Sequence, residues 1–135
     1  MRLLLNDSFN NVRVVQVMYW LIAVVLAVFY AYAGGKKVLQ TREQLEPMMG
    51  WVDTIPMPLV RTIGALEVLG ALGLILPPLT GIAPGLAVAA ALGFVVLQIG
   101  GIAVHLTRGE ARLIGLNVAL LALAAAAALL ALSTF

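Results

Sequence analysis

Between Arg61 and Pro78 the chain reads Arg-Thr-Ile-Gly-Ala-Leu-Glu-Val-Leu-Gly-Ala-Leu-Gly-Leu-Ile-Leu-Pro-Pro, and the only charged side chain inside that apolar run is Glu67. The run is long and apolar enough to enter a bilayer as a helix. A carboxylate near the middle of a membrane helix costs roughly 2.5 to 3.5 kcal/mol on insertion scales, and such groups face a bundle interior and mark a site. Any fold for this chain must therefore give Glu67 an interior partner or water.

The composition fits no water-soluble fold. Hydrophobic residues are 63% of the 135 and charged ones 10%, against about 45 to 50% and about 25% in soluble domains. There are too few polar groups to cover a soluble surface, so the chain is expected to be an integral membrane protein in one domain, residues 1–135. The absence of cysteine excludes disulfides, thiolate metal sites and a protein dithiol cycle. One histidine and six carboxylates leave little for a metal, since catalytic zinc normally takes three protein ligands. No cofactor is expected. No basic run interleaved with aromatics points to nucleic acid.

Four spans are predicted, at about residues 14–34, 58–76, 82–106 and 113–132, making an all-α integral membrane four-helix bundle. About 20 residues at the helical rise cross the ~30 Å hydrocarbon core. Residues 1–11 are polar and read as a retained N-terminal segment without a cleavage signal. Tyr19 and Trp20, and at the far end Tyr30 and Tyr32, have the spacing of aromatics that seek the two membrane interfaces. The stretch 38–58 is the longest outside the spans. Thr41-Arg42-Glu43-Gln44-Leu45-Glu46 reads as a short polar helix stopped by Pro47, and the mixed segment after it as an interfacial piece folding back over the bundle, with a solvated connector as the alternative. Pro77-Pro78-Leu79-Thr80-Gly81 reads as a tight turn, with Pro84 in the first turn of the third span.

Four spans put both termini on one face. Lys36, Lys37, Arg42, Arg61, Arg108 and Arg112 then lie on the loop face, against Arg2 and Arg13 on the other. The excess of cations in short loops predicts cytoplasmic loops and outside termini, in a multi-pass cell-membrane protein.

Counting depth from the loop face brings three helices to one layer. Glu67 lies six residues beyond Arg61, about 9 Å in, and Gln98 seven residues before His105, about 10 Å in. Asn117 lies five residues beyond Arg112, about 7.5 Å in. Seven residues are nearly two turns, so Gln98 and His105 share a face. Unpaired polar groups are costly in hydrocarbon, so Glu67, Gln98 and Asn117 should point at one another or at water. His105, Arg61, Lys36 and the Arg108/Glu110 turn form a wetter mouth above them. The candidate ligand-binding residues are thus Lys36, Arg61, Glu67, Gln98, His105 and Asn117, with Glu67 and His105 as catalytic candidates. Each has a plainer reading as well. Gln98 and Asn117 serve equally as glue between helices, His105 as a cation at a helix C-terminus, and Glu67 as an ion-pair partner of Arg61 or a loop lysine. Gly64, Gly70 and Gly73, and Gly93 with Gly100-Gly101, read as small-residue packing faces and not as a nucleotide loop, which needs a preceding strand.

The run Arg61-x-x-Gly64-x-x-Glu67-x-x-Gly70-x-x-Gly73-Leu74-x-x-Pro77, then His105-Leu106-x-Arg108-Gly109-Glu110 and Asn117, with Ala33-Gly34-Gly35-Lys36 ending the first span, resembles the DoxX-like branch of the DoxX/DoxD superfamily. The resemblance covers nearly the whole chain. It implies a four-helix membrane bundle with the Arg, Glu and His positions as its signature. The family's relatives are linked to thiosulfate:quinone oxidoreduction, to redox-stress complexes in bacterial membranes and to chaperone-like or trafficking roles in eukaryotes. Lack of cysteine departs from any thiol-based sulfur carriage.

These readings give two expectations. In the first, the chain is an accessory or small subunit of a redox- or quinone-linked membrane system, whose polar layer holds a quinone-like or lipid head group. Glu67 then exchanges a proton, His105 relays it to the mouth and Arg61 tunes Glu67 by its charge. In the second, it is a non-catalytic structural or assembly partner of a larger membrane complex, docking through the segment around Trp51, with the polar layer fixing helix register. A self-contained carrier is disfavoured by four spans without inverted repeats; homo-oligomerisation through the glycine and alanine faces could supply further helices.

Overall fold

The protein's structure, a computed structural model, describes residues 1–135. Four long helices, α1 (Arg2–Leu39), α3 (Met57–Thr80), α4 (Leu86–Thr107) and α5 (Gly115–Thr134), are joined by a short helix α2 (Arg42–Leu45) and two single 3-10 turns, Gly50–Asp53 and Ala111–Leu113. All four long helices are apolar enough to cross a membrane. They form a ring in which α1 packs on α3, α3 on α4, α4 on α5 and α5 on α1. Large apolar side chains such as Leu21, Val28, Leu69, Val96 and Leu129 point outward and are exposed, the arrangement of a bundle solvated by lipid.

The core is thin because the helices approach closely. Its aliphatic and aromatic members are Tyr19, Leu26, Tyr30, Leu74, Phe94 and Leu120, and the rest are alanines: Ala23, Ala71, Ala87, Ala91, Ala124, Ala127, Ala128 and Ala131. Without a hydrophobic drive between helices in lipid, small residues that let backbones meet supply the packing contacts. The Ala/Leu tail of α5 buries Ala124, Ala127, Ala128 and Ala131 and turns Leu129 and Leu132 outward.

Three expectations need correction. Residues 1–11 are not a separate segment: α1 is 38 residues long and starts at Arg2, because no glycine or proline interrupts the chain before Gly34. Its buried residues begin only at Tyr19, so the first turns project past the bundle, with Leu3, Leu4, Leu5 and Phe9 exposed. Pro77 and Pro78 are not in a turn but inside α3, which ends at Gly81 in a left-handed cap (φ 73°). A proline has no N–H and so deprives the carbonyl four residues earlier of its helical donor. For Pro78 that carbonyl is Leu74, and the buried Tyr19 hydroxyl donates to it at 2.6 Å. Tyr19 and Tyr30 therefore do not anchor the interfaces: both are fully buried, Tyr30 stacking on Phe94 at 3.8 Å, and only Tyr32 is exposed.

The connection between α1 and α3 is ordered by its own polar groups. Thr41 and Gln44 form a capping box, the Gln44 N–H donating to Thr41 Oγ1 at 3.2 Å and the Thr41 N–H to Gln44 Oε1 at 2.9 Å, which satisfies two free donors at the start of α2. The Arg42 guanidinium donates to the Val52 carbonyl. Leu45, Val52 and Val60 make a small apolar cluster beneath. Arg108, at the end of α4, donates to Asp53 Oδ1 at 2.8 Å and to Glu110, so the segment is strapped over the loop end of the bundle. This bidentate hold depresses the Asp53 carboxyl below the usual carboxylate range, chiefly through the hydrogen bond from Arg108, and raises the Arg108 guanidinium in turn.

Candidate functional site

The loop-side half of the bundle carries nearly all its interior polar groups. Helices α1 and α3 cross where two glycines face each other. A Cβ on Gly34 would meet the Gly64 carbonyl oxygen at 2.6 Å and the Glu67 Cβ at 2.9 Å, and one on Gly64 would meet the Lys37 Cβ at 2.6 Å. One turn beyond each glycine stands a charged residue, Lys37 after Gly34 and Glu67 after Gly64. The close crossing brings them together: Lys37 Nζ donates to both carboxylate oxygens of Glu67, at 2.8 and 2.9 Å. Both are buried. Trp51 of the strapped segment closes over the lysine, its ring centroid 5.9 Å from Nζ, a distance at which the ring's face attracts a cation.

Of the residues expected at this site, Lys36 and Arg61 are held elsewhere. Lys36 points toward the rim, with Nζ 3.3 Å from the Tyr32 hydroxyl and 3.3 Å from Met48 Sδ. Arg61 donates to the Lys37 carbonyl at 2.8 Å and to the Gln40 carbonyl. These are orphan acceptors at the end of α1, since the last carbonyls of a helix lack internal partners. Glu67 thus takes neither Arg61 nor Lys36 as its partner, and the lysine that reaches it is Lys37.

Gln98 and Asn117 do meet, with Asn117 Nδ2 donating to Gln98 Oε1 at 2.9 Å. The network continues to a residue that depth counting missed: Gln98 Nε2 donates to the Tyr30 hydroxyl at 2.5 Å. Gly101 makes room for it, since a Cβ there would lie 2.8 Å from Asn117 Nδ2. Gly93 and Gly100, by contrast, face open space and do not pack a neighbouring backbone. His105 stands in the last turn of α4. Its Nδ1 is buried without a hydrogen-bond partner, 3.8 Å from Glu110 Oε1.

Two cavities meet these residues. One, of about 230 Å³, opens between α1 and α5 and includes Phe29, Tyr30 and Leu120; the other, of about 290 Å³, opens between α3 and α4 and includes Ile63, Leu97 and Val104. Both are lined by Lys37, Trp51, Glu67, Gln98, His105 and Asn117. The two cavities flank the same six side chains, one on the α1/α5 side and one on the α3/α4 side, and together make up a polar chamber. No cluster of three or more histidine or acidic residues is placed to hold a metal ion.

No curated protein and no solved structure matches the chain. The family model described as the DoxX-like family matches residues 21–127, from within α1 to within α5. That match takes in the Gly34/Gly64 crossing, the Lys37–Glu67 pair and the Gln98, His105 and Asn117 positions, and the chain belongs to the DoxX-like family.

Proposed function

We propose that this DoxX-like membrane protein is an accessory subunit of a membrane system, redox-linked in character, and that its chamber holds the head group of a quinone-like or lipid amphiphile. The observation that carries the reading is the sharing of six residues between the two cavities. Pockets that hold small molecules are mostly apolar with a few convergent polar groups, and this one converges Lys37, Glu67, Gln98 and Asn117. His105 lines both cavities, and its buried Nδ1, 3.8 Å from Glu110 Oε1, sets it between the chamber and the loop face as a proton relay. Glu67 exchanges a proton with the head group when Lys37 moves with it, and His105 passes that proton toward the loop face. Arg61 acts on the site only by holding the end of α1 that carries Lys37.

Native mass spectrometry of protein extracted gently from its own membrane tests this. The wild type retains one small-molecule adduct, and Glu67→Gln or His105→Ala loses it with the helical content unchanged. An adduct kept in both folded variants overturns the reading.

A second reading, an assembly partner without a ligand, is favoured by the projecting start of α1 and its exposed Leu3, Leu4, Leu5 and Phe9. Trp51 is not its docking element, because it is turned inward over Lys37. The same spectra would then show a stoichiometric protein partner and no adduct.

For orientation, the cation excess on the loop side supports cytoplasmic loops and outside termini. The absence of cysteine makes the test clean: an impermeant maleimide should label Ser8→Cys in intact cells and spare Glu43→Cys. The reverse pattern inverts the topology.

A further inference from the structure

The largest cavity of the molecule is an apolar groove of about 580 Å³ on the lipid-facing side, between α3 and α4. Leu69, Gly70, Gly73, Leu86, Ala90 and Gly93 are among its walls, and Phe94 lies in its floor. It exists because side chains are missing. A Cβ at Gly70 would lie 2.5 Å from the Phe94 ring, whereas one at Gly93 would meet nothing within 4 Å. The Phe94 ring is in turn fixed by its stack on Tyr30.

The groove adjoins the polar chamber across a shared wall. Val96 and Leu97 line both the groove and the chamber's α3/α4 side. From there the groove runs along α4 back to Leu86, about 16 Å at the helical rise, which is the depth of one leaflet's hydrocarbon. Val96 and Leu97 stand midway along α4 and Leu86 at its start, away from the loops, so a chain in the groove has its polar end at the chamber near the middle of the bundle and runs on through the leaflet opposite the loops. The chamber adds a constraint on the head. Lys37 and Glu67 neutralise each other, and the other polar groups on it are amides, an indole, an imidazole and the hydroxyls of Tyr30 and Tyr32, so it suits an uncharged head that both accepts and donates hydrogen bonds.

From this shared wall we infer that the α3/α4 groove is the tail site of the chamber's ligand, an amphiphile with an uncharged oxygen-bearing head and a single long hydrocarbon chain, admitted sideways from the bilayer between α3 and α4. The inference rests on the chamber being a head-group site and adds which class of molecule fills it and by what route.

Trp51 lines both of the chamber's cavities and provides the readout. With Trp20→Phe as background, Trp51 is the sole tryptophan. Protein in phosphatidylcholine nanodiscs is titrated with a dimethoxy-methyl-benzoquinone carrying a decyl chain, and with the same ring lacking it, following quenching of Trp51. Filling the groove with Gly93→Leu should raise the half-quenching concentration of the decyl compound at least about tenfold, the equivalent of losing roughly two buried methylenes, and leave the short compound unchanged. Ala89→Leu, exposed on the same groove, should act alike. Comparing variants with one compound removes the effect of partition into the bilayer. If both compounds quench and neither substitution weakens the decyl one, the tail site is wrong and the chamber stands. Equal weakening of both compounds also overturns the tail site. If neither compound quenches, the head-group site fails and the tail site with it. If native mass shows the wild type as a dimer and Gly93→Leu as a monomer, the groove belongs to a second copy of the chain and the inference is overturned.

Discussion

The carbonyl oxygen of Gly34 lies 2.7 Å from where a Cβ on Gly64 would stand. This backbone contact sets the geometry of the polar chamber, because each glycine also faces the other helix's charged residue: Gly34 lies against Glu67 and Gly64 against Lys37. Two antiparallel Gly-x-x-charge units, Gly34 to Lys37 and Gly64 to Glu67, thus interlock, the missing side chain of each making room for the long one opposite.

It follows that Gly64→Ala forces the helices apart or displaces Lys37, and should destabilise the bundle by about 1 to 3 kcal/mol, the cost of overpacking. Gly35→Ala is the control, since a Cβ there meets nothing within 4 Å; it should be neutral or stabilise by up to about 1 kcal/mol through helix propensity. Reversible unfolding in mixed micelles measures both.

Removing one member of the Lys37–Glu67 pair leaves an uncompensated charge in the bundle. Lys37→Met or Glu67→Leu alone should cost about 3 to 5 kcal/mol, whereas the double substitution should return close to the wild-type stability. A double-mutant cycle from the same unfolding titrations gives the coupling, and additive single effects would show that the two charges are not paired.

Tyr19→Phe keeps the packing but removes the donor that serves the Leu74 carbonyl. An unsatisfied buried acceptor costs about 1 to 3 kcal/mol. Pro78→Ala supplies the missing N–H from within α3, so it should recover most of that loss in the Tyr19→Phe background and little in the wild type. Thermal unfolding followed by circular dichroism decides this.

Acid should loosen the strap over the loop end. The Asp53 carboxyl is depressed in the folded protein by Arg108, so its contribution is present above the ordinary carboxylate range and is lost as pH falls through the lowered folded value. Hydrogen exchange at residues 50–53 should therefore be flat from neutral pH down to the carboxylate range, after correction for intrinsic rates, and accelerate below it. Asp53→Asn should show the faster exchange at every pH.

Much of this architecture was legible in the residues. Four apolar runs read as spans, the polar run from Thr41 stopped by Pro47 reads as the short helix α2, and depth counting put Gln98 and Asn117 in one layer, where they bond. The choice of Lys37 over Lys36 was not legible from charge. Consecutive residues lie about 100° apart on a helix, so only the crossing at Gly34 decides which lysine faces inward; the matching Gly-x-x-charge spacing on both helices was the available signal. Tyr19 and Tyr30 read as interfacial anchors because an aromatic ring with a hydroxyl suits either an interface or a buried acceptor. The acceptor for Tyr19 could have been found by counting four residues back from Pro78. The helical course of residues 2–13 was obscured by their polarity, which marks exposure but does not stop a helix.

On the proposed reading, the intramembrane polar groups form a ligand chamber and do more than fix helix register. Native mass spectrometry of the Lys37→Met/Glu67→Leu double variant beside the wild type tests it most directly, because the fold survives while the polar pair is gone. One amphiphile should be retained on the wild type and none on the folded double variant. The same adduct on both proteins, or on neither, would contradict it.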